Sequence, residues 1–300
     1  MKKILFFLFI INFKIYSQSE NLEFLNISEN SKIRGIGGDN VSLIKNQNYF
    51  FSNPALLSFS NKNITFNYLS YILDINASSI LYSDSLKYIG NYGIGVKYFS
   101  HGKFDSYDAF GNSLGSFQPK ELVINLGKSV EFKKISIGTN LKFFNSKMYE
   151  KNYTGIIIDL GLIYIPISQK QFSLGAVIKN FGVTLNTENN EIPFMILIGS
   201  TFKPDYMPLR FSLTYARSNI KYDNIIIGGE ILLSKFINVQ VGYNQKIGSG
   251  FDLPTSNKLK GISYGFELLL KKININYSKS VLNPISGSNC ISISYNLKRM

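Results

Sequence analysis

Hydrophobic and polar side chains alternate with a period of two residues through most of the chain. In residues 208–216 and 237–244, for example, every second residue is a large apolar one, and the residues between are mostly polar or small. A period of two places the two kinds of side chain on opposite faces of an extended strand. The chain is therefore predicted to be all-β from residue 63 onward.

Fourteen segments show this alternation. They are predicted as strands at 63–71, 75–83, 91–100, 121–130, 134–145, 153–164, 171–180, 192–203, 208–216, 223–233, 236–246, 259–270, 272–280 and 288–298. An even number of antiparallel strands of about ten residues, joined by turns, is typical of transmembrane barrels. The predicted fold is thus a 14-stranded antiparallel transmembrane β-barrel.

The lengths of the predicted connections support a barrel that crosses a membrane. From the third strand onward, connections after even-numbered strands are short, and those after odd-numbered strands are longer and polar, with 101–120 the longest. Short turns at one end and long loops at the other are typical of outer-membrane barrels. Only the first two connections, 72–74 and 84–90, break this rule. A soluble sandwich or propeller is the alternative, but it does not predict an even number of strands together with alternating short and long connections.

The polar face of the predicted strands is rich in glycine and charge. It carries Gly93, Gly95, Lys97, Gly138, Asn140, Lys142, Asp159, Lys179, Arg210, Glu230 and Glu267. A narrow barrel has no room inside for the many aromatic side chains of the other face, so we expect the polar face to line the lumen. Tyrosine and phenylalanine near the strand ends would then form girdles at the membrane surfaces. The lumen charges are expected to pair with one another rather than to form a transport path.

Composition narrows the function classes. Of the 300 residues, 45% are hydrophobic and only 17% are charged, which excludes a disordered chain. The net charge of +13 is scattered, so it favours an anionic membrane surface or an acidic partner over nucleic acid. His101 and Cys290 are each the only residue of their kind, which excludes zinc sites of the usual spacing. We expect no enzyme activity, no catalytic residue, no cofactor and no metal.

The first 62 residues lack the two-residue period. Lys2 and Lys3 precede an apolar run at 4–13, and the small residue Ser17 follows, so residues 1–17 are predicted to be a signal peptide. A buried first element of a soluble domain is the alternative. The apolar run is about half as long as a membrane-spanning helix. Residues 18–62 are predicted to form a plug inside the barrel, which occupies residues 63–300.

Gly37, Gly38, Asn53 and Pro54 are predicted to form the turns of this plug. The two glycines could instead cradle a phosphate, but the lysine of a P-loop does not follow them. Close packing of the plug backbone against the barrel wall is therefore the preferred interpretation.

Several short stretches carry a resemblance to a known group of proteins. They include Gly37-Gly38-Asp39, Asn53-Pro54-Ala55, the loop 104–117, Pro208-Leu209-Arg210-Phe211-Ser212 and Gly261-Ile262-Ser263-Tyr264-Gly265. The first two resemble the hatch of the FadL-like outer-membrane barrels of fourteen strands. Together the stretches resemble, within that group, the PorQ family of the type IX secretion system of Bacteroidetes.

The resemblance implies a non-enzymatic anchor in the outer membrane. Proteins of this family belong to an attachment complex with the PorU sortase, the barrel PorV and the surface protein PorZ, which they are thought to hold at the surface. Secreted cargo is processed there and joined to lipopolysaccharide. The alternative function is a FadL-like outer-membrane transporter of hydrophobic compounds.

The long loop 101–120 is the candidate partner-binding site. It carries Phe104, Tyr107, Phe110, Phe117 and Pro119, and exposed aromatic residues on an ordered loop are typical interface anchors. The alternative is that these residues pack the loop over the mouth of the barrel.

Overall fold

The structure is a computed structural model that describes residues 22–45, 48–72, 74–86, 88–149, 151–166, 171–186, 192–219, 223–249, 259–282 and 287–297. Fourteen of its strands close into one antiparallel barrel. The predicted signal peptide, residues 1–17, lies outside the described residues. Among the described residues, no helix is long and apolar enough to cross a membrane.

Every predicted strand has a counterpart in the barrel. The barrel strands are β1 (Asn63–Ser70), β2 (Asn76–Leu86), β3 (Gly90–Ser100), β6 (Lys120–Phe132), β7 (Ile135–Met148), β8 (Lys151–Tyr164), β9 (Phe172–Thr184), β10 (Met195–Phe202), β11 (Leu209–Ser218), β12 (Asp223–Leu232), β13 (Ile237–Asn244), β14 (Ile262–Leu269), β15 (Ile273–Val281) and β16 (Gly287–Asn296). The predicted 14-stranded antiparallel barrel is confirmed.

Neighbouring strands follow the order of the chain with two exceptions. The barrel closes where β1 pairs with β16, in a register that sets Asn63 opposite Asn296. β3 pairs with β6 because β4 (Phe104–Tyr107) and β5 (Ser113–Phe117) form a separate hairpin within the loop 101–119. This hairpin was not predicted, since its two strands have only four and five residues and lack the alternation.

The connections separate into a turn end and a loop end. The turn end contains 87–89, 133–134, 165–171, 203–208, 233–236 and 270–272, and the loop end contains the long connections 101–119 and 245–261. β2 continues to Leu86, so 87–89 is a short turn and the predicted break in the rule is wrong. The predicted longer loop between β7 and β8 is also wrong, because their ladder continues to Met148 opposite Lys151.

Side-chain burial alternates along the strands with apolar residues outside. In β6, Leu122, Ile124 and Leu126 are about two-fifths exposed, whereas Val123 and Asn125 between them are buried. The predicted lumen face is confirmed, since its charged members are buried or, for Arg210, half-buried. Exposed aromatic residues end the strands β6, β8 and β10 at the turn end: Phe132, Tyr164 and Phe202. An apolar exterior around a polar interior is the architecture of a transmembrane barrel.

The N-terminal segment, residues 22–62, lies against the inner faces of opposite walls. Helix α1 (Ser31–Gly35) packs on β13, β14, β15 and β16, and the 3-10 helix Pro54–Phe59 packs on β6, β7 and β8. Both helices begin at asparagines: Asn30 accepts a hydrogen bond from the backbone N–H of Ile33, and Asn53 accepts one from Ala55. These caps satisfy backbone donors that would otherwise be buried unpaired.

Glycines in the wall allow the segment to approach the strands closely. A side chain at Gly138 would lie 2.4 Å from the carbonyl carbon of Pro54, and one at Gly242 would lie 2.2 Å from the backbone nitrogen of Gly37. Gly37 and Gly38 adopt φ angles of +111° and +108°, which residues with a Cβ rarely adopt. The turn after α1 therefore depends on glycine both for its backbone and for its contact with the wall.

Candidate functional site

A cluster of charged side chains joins the N-terminal segment to β11, β12 and β14. We call it the anionic-wall cluster; it comprises Lys32, Lys45, Arg210, Glu230 and Glu267. The Nζ atom of Lys45 lies 2.8 Å from Glu230 Oε1 and 2.8 Å from Glu267 Oε2. Lys32 contacts the same two carboxylates, and Arg210 contacts Glu230. Both lysines belong to the segment, so these bonds anchor it to the wall.

On other parts of the wall the signs of the charges are reversed. Glu29 of the segment lies 3.0 Å from Lys97 on β3, and Asp39 lies 3.6 Å from Lys179 on β9. The wall is thus acidic on one side and basic on another, and the segment presents the opposite charge to each. Buried charges need such partners because removal from water is costly. The complementarity fixes one orientation of the segment within the lumen.

The prediction that the lumen charges pair with one another is correct only in part. Lys142 and Asp159 form a pair within the wall at 2.6 Å, and Arg210 pairs with Glu230. The other charges predicted for the lumen, Lys97, Lys179 and Glu267, pair with the N-terminal segment, because the segment occupies the space between opposite walls. Lys32 and Lys45 were not singled out from the sequence, since the segment has no period that indicates which side chains face the wall.

A β-bulge distorts the wall between β8 and β9. The register shifts between Ile158 and Leu160, and Asn180 adopts a positive φ of 60°. Its backbone N–H donates to Asp159 Oδ1 at 2.9 Å, and its side chain donates to Asn26 of the segment at 2.8 Å. The bulge therefore turns a wall asparagine toward the segment, as bulges often do next to functional sites.

A cavity of about 290 Å³ opens at the loop end, between the segment and the wall. Its apolar lining includes Tyr71, Met195, Ile247 and Leu282. Its polar lining includes Glu23, Arg34, Asp39, Asn224, Asn244, Lys246 and Ser280. The cavity is close to the lower limit of typical small-molecule sites, and its lining suits a molecule with apolar and polar parts.

Arg34 is the residue of helix α1 that lines this cavity. Its guanidinium carbon lies 5.6 Å from the centroid of the Tyr71 ring, and its Nη1 donates to the carbonyl oxygen of Ser28 at 3.1 Å. It also donates to Ser288 on β16. The arginine is therefore held in place by both segment and wall, with its aromatic neighbour at the edge of the cavity.

The predicted partner-binding residues lie on or beside the hairpin β4–β5. The rings of Phe104 and Phe117 stack with centroids 5.5 Å apart, and Phe117 packs edge-on against Tyr149 at 4.8 Å. Tyr107 and Phe110 are 61% and 91% exposed. The structure thus separates the predicted set into a stacked pair, of which Phe104 is still 47% exposed, and two rings that are more exposed. The carbonyl of Pro119 accepts a hydrogen bond from His101 at the base of the loop.

The tip of the hairpin is ordered by Asp108. Its carboxylate accepts hydrogen bonds from the backbone N–H groups of Phe110 and Asn112 at 2.9 and 2.8 Å, and from the Asn112 side chain at 2.8 Å. Hydrogen bonds from Asn112 hold the pKa of Asp108 below its usual range, because they favour the charged form.

The residues that could act as nucleophiles or bases lie in strands or contact groups of the wall and the N-terminal segment. Gly-x-Ser-x-Gly stretches centred on Ser113 and Ser263 lie in strands β5 and β14, not in the strand-to-helix turn where such a serine is reactive. His101 lies 3.0 Å from Glu121, and the sulfur of Cys290 lies 3.0 Å from the Glu29 carbonyl oxygen. Within the described ranges, histidine, cysteine and carboxylate side chains do not form groups of three that could hold a metal.

Comparison with solved structures finds outer-membrane channels of the same fold. The toluene transporter TodX of P. putida has a TM-score of 0.62 and 14% identity, and the match covers 92% of this chain and all of that one. The CymD monoaromatic hydrocarbon channel has a TM-score of 0.58 and 13% identity, with 93% and 99% covered. A Pseudomonas aeruginosa FadL homologue has a TM-score of 0.54 and 10% identity, with 90% and 98% covered.

Sequence comparison adds no closer relationship. No family model matches the chain, and no curated protein matches it. The structural likeness agrees with the FadL-like part of the sequence resemblance and carries no information about type IX secretion. The fold is FadL-like, and the neighbours are channels and transporters rather than enzymes. The apolar exterior of the closed barrel and this fold place the protein in the outer membrane.

Proposed function

We propose that the protein is an outer-membrane channel for small hydrophobic or amphipathic molecules, and that the cavity at the loop end is their first binding site. The fold shared with hydrocarbon channels supports this proposal. The observation that carries it is the cavity itself, which lies where a molecule from outside would first meet the N-terminal segment. This function replaces surface anchoring, the first expectation from the sequence, as the better supported one.

The N-terminal segment acts as the plug in this proposal. Ion pairs to opposite parts of the wall hold it in the lumen, so an open aqueous pore of the porin type does not fit. A small molecule bound beside Tyr71 and Met195 would pass along the boundary between segment and wall, where the bulge at Asn180 interrupts the regular ladder. The barrel would then act as a selective channel for small compounds.

Filling the cavity is expected to abolish uptake. Ser280 lines the cavity and is buried, so the S280W variant places a large ring in the space for the ligand. Uptake of radiolabelled toluene by cells expressing this variant should fall to that of cells without the protein. The matched control is L213W, because Leu213 is half exposed on the lipid-facing side and its ring would not enter the lumen.

One control and two refuting outcomes make this test decisive. Heat-modifiable gel mobility shows whether both variants form closed barrels. Uptake that is equal in cells with and without the wild-type protein would refute the channel, and equal uptake by S280W and the wild type would refute the cavity as the site.

A second candidate function is surface anchoring of a type IX secretion partner. The exposed rings of Tyr107 and Phe110 on an ordered hairpin support it, because aromatic residues presented on rigid elements are common binding anchors. The partners would be PorZ-like, PorU-like and PorV-like proteins, with lipopolysaccharide as the neighbouring lipid.

Removing the two exposed rings is expected to release such a partner. In the Y107A/F110A variant the ring stack of Phe104 and Phe117 remains, so the hairpin keeps its packing while it loses its exposed aromatic surface. The amount of PorZ-like protein on intact cells, measured by antibody binding, should decrease severalfold. The L185A variant, which changes an exposed residue of another loop, serves as the control. Unchanged surface levels in Y107A/F110A would contradict the hairpin as the contact.

A further inference from the structure

The turn end of the barrel exposes large apolar side chains in most of its described turns. At least half of each of these side chains is exposed: Tyr88, Ile89, Phe132, Tyr206, Met207, Leu233, Phe236 and Leu270. Phe132 is the last residue of β6, and the others lie beyond the strand ends, where they continue the lipid-facing band of the strands. A turn that projects into water would normally be polar, so this surface indicates contact with something apolar.

Lysines lie beside these apolar residues. The described residues of the turns and of the entry to β1 include seven: Lys62, Lys133, Lys134, Lys203, Lys235, Lys271 and Lys272. Only one carboxylate, Asp205, lies in the same described connections, and the adjoining strand ends add Asp84 and Glu131. Asp84 is already paired with Lys62 at 3.1 Å. With 7 lysines and 3 carboxylates, this surface has a formal charge of +4.

The loop end has no such excess. Its described connections contain three lysines, Lys103, Lys246 and Lys260, and three aspartates, Asp74, Asp105 and Asp108. Counted over the described connections and the entry to β1 alone, the turn end has 7 lysines and 1 carboxylate, whereas the loop end has 3 of each. The excess of positive charge in the connections therefore lies at the turn end, although the strand ends beside the loop end carry Lys120, Lys147, Lys151 and Arg217. The asymmetry indicates that the two ends meet surfaces of different charge.

Apolar residues and lysines alternate within single turns. Lys235 precedes Phe236, and Lys133 follows Phe132, with its Nζ atom 5.7 Å from the centroid of that ring. Side chains in this arrangement can place an aromatic ring among lipid chains while the ammonium group stays at the headgroups. Lysines close to an anionic lipid surface are each attracted to it.

We propose that the turn end lies within the headgroup layer of the membrane and binds anionic phospholipid headgroups. The turn lysines supply the charge complementarity, and the exposed apolar residues between them supply the contact with the lipid chains. This surface would enrich anionic phospholipid around the turn end. The inference is independent of the proposed channel function, because none of these residues lines the loop-end cavity.

The absence of tryptophan from the chain allows a direct test. The variants F236W and F181W each introduce a single tryptophan, which is excited selectively over tyrosine at long wavelength, at positions 62% and 65% exposed near the turn end and the loop end respectively. Each variant is refolded into vesicles that contain equal mole fractions of phosphatidylglycerol and phosphatidylcholine, and only one of the two lipids is brominated. Quenching then reports which lipid is next to the tryptophan.

Brominated phosphatidylglycerol is expected to quench F236W about twice as strongly as brominated phosphatidylcholine. F181W should be quenched equally by both lipids. Adding K235Q, K271Q and K272Q to F236W should remove the difference, as should high salt. A matched variant, K120Q/K147Q/K151Q in the F236W background, removes three exposed lysines near the loop end. It should still be quenched more strongly by brominated phosphatidylglycerol than by brominated phosphatidylcholine.

Three outcomes would overturn the proposal. They are equal quenching of F236W by the two lipids, a preference at F181W as large as that at F236W, and a preference at F236W that survives the three turn substitutions. Because every variant is measured as a closed barrel, checked by heat-modifiable mobility, misfolding does not imitate any of these results.

Discussion

The E230Q/E267Q variant is expected to release the N-terminal segment from the barrel wall. Its two substitutions leave Lys32, Lys45 and Arg210 close together without counter-charges, and Lys32 is almost fully buried. Breaking a buried ion pair by removing one partner costs about 3–5 kcal/mol. The segment is attached at several other points, so the barrel should remain closed while the region around α1 becomes accessible. Amide hydrogen exchange of residues 30–45 should increase by orders of magnitude.

Replacing the two lysines as well shows whether the segment is released by uncompensated charge or by a change in side-chain packing. Adding K32M and K45M to E230Q/E267Q removes both uncompensated lysines while it keeps side chains of similar length. Exchange in residues 30–45 should then return most of the way to the wild-type rate. If the fourfold variant exchanges as fast as the twofold one, the ion pairs do not hold the segment.

A single branched side chain at Gly242 is expected to have a comparably large effect. The Cβ of G242V would lie 2.2 Å from the backbone nitrogen of Gly37 and 2.3 Å from the carbonyl carbon of Ile36. Backbone atoms on both sides cannot move apart without displacing the turn after α1, so a cost at or above the upper end of the usual range of about 1–3 kcal/mol for overpacking is expected. Limited proteolysis should cleave the segment in this variant and leave it intact in the wild type.

The same glycine-to-valine substitution at Gly229, in the neighbouring strand β12, is the control. The atom nearest to a Cβ added at Gly229 is the carbonyl oxygen of Val241, at 3.8 Å, which is an ordinary contact. Valine also has a high preference for strands, so G229V should fold with normal or slightly increased stability. Equal protection of the segment in G242V and G229V would show that the close approach at Gly242 does not matter.

The barrel could be predicted because its two faces meet such different environments. A lipid exterior and a polar interior impose the strict alternation seen in β6, and each strand repeats it. The strand ends were harder to predict, since polar residues are acceptable at both faces there. This is why β2 extends beyond the prediction to Leu86, and why the ladder of β7 and β8 continues through residues expected to form a loop.

Of the residues in the candidate site, only those on the barrel strands could be predicted from the sequence. Glu230 and Glu267 were expected in the lumen from the two-residue period, but their partners Lys32 and Lys45 lie in a segment without a period. The cavity joins Tyr71, Met195 and Leu282, which come from three distant loop-end positions, and only the closed barrel brings them together. Function was harder still to predict, because short motifs suggested a secretion anchor whereas the solved structures of the same fold are channels and transporters.

The path of the N-terminal segment constrains the order in which the molecule can assemble. Leu22 packs against loop-end residues such as Phe99, and Lys62 leads into β1 at the turn end, so the segment runs the length of the lumen. Its contacts with opposite walls leave no clearance for threading it through a finished barrel. We therefore expect β1 to pair with β16 only after the segment has taken its place against the inner faces of the other strands. Closure of the β1–β16 seam would then be the step that traps the segment inside the barrel.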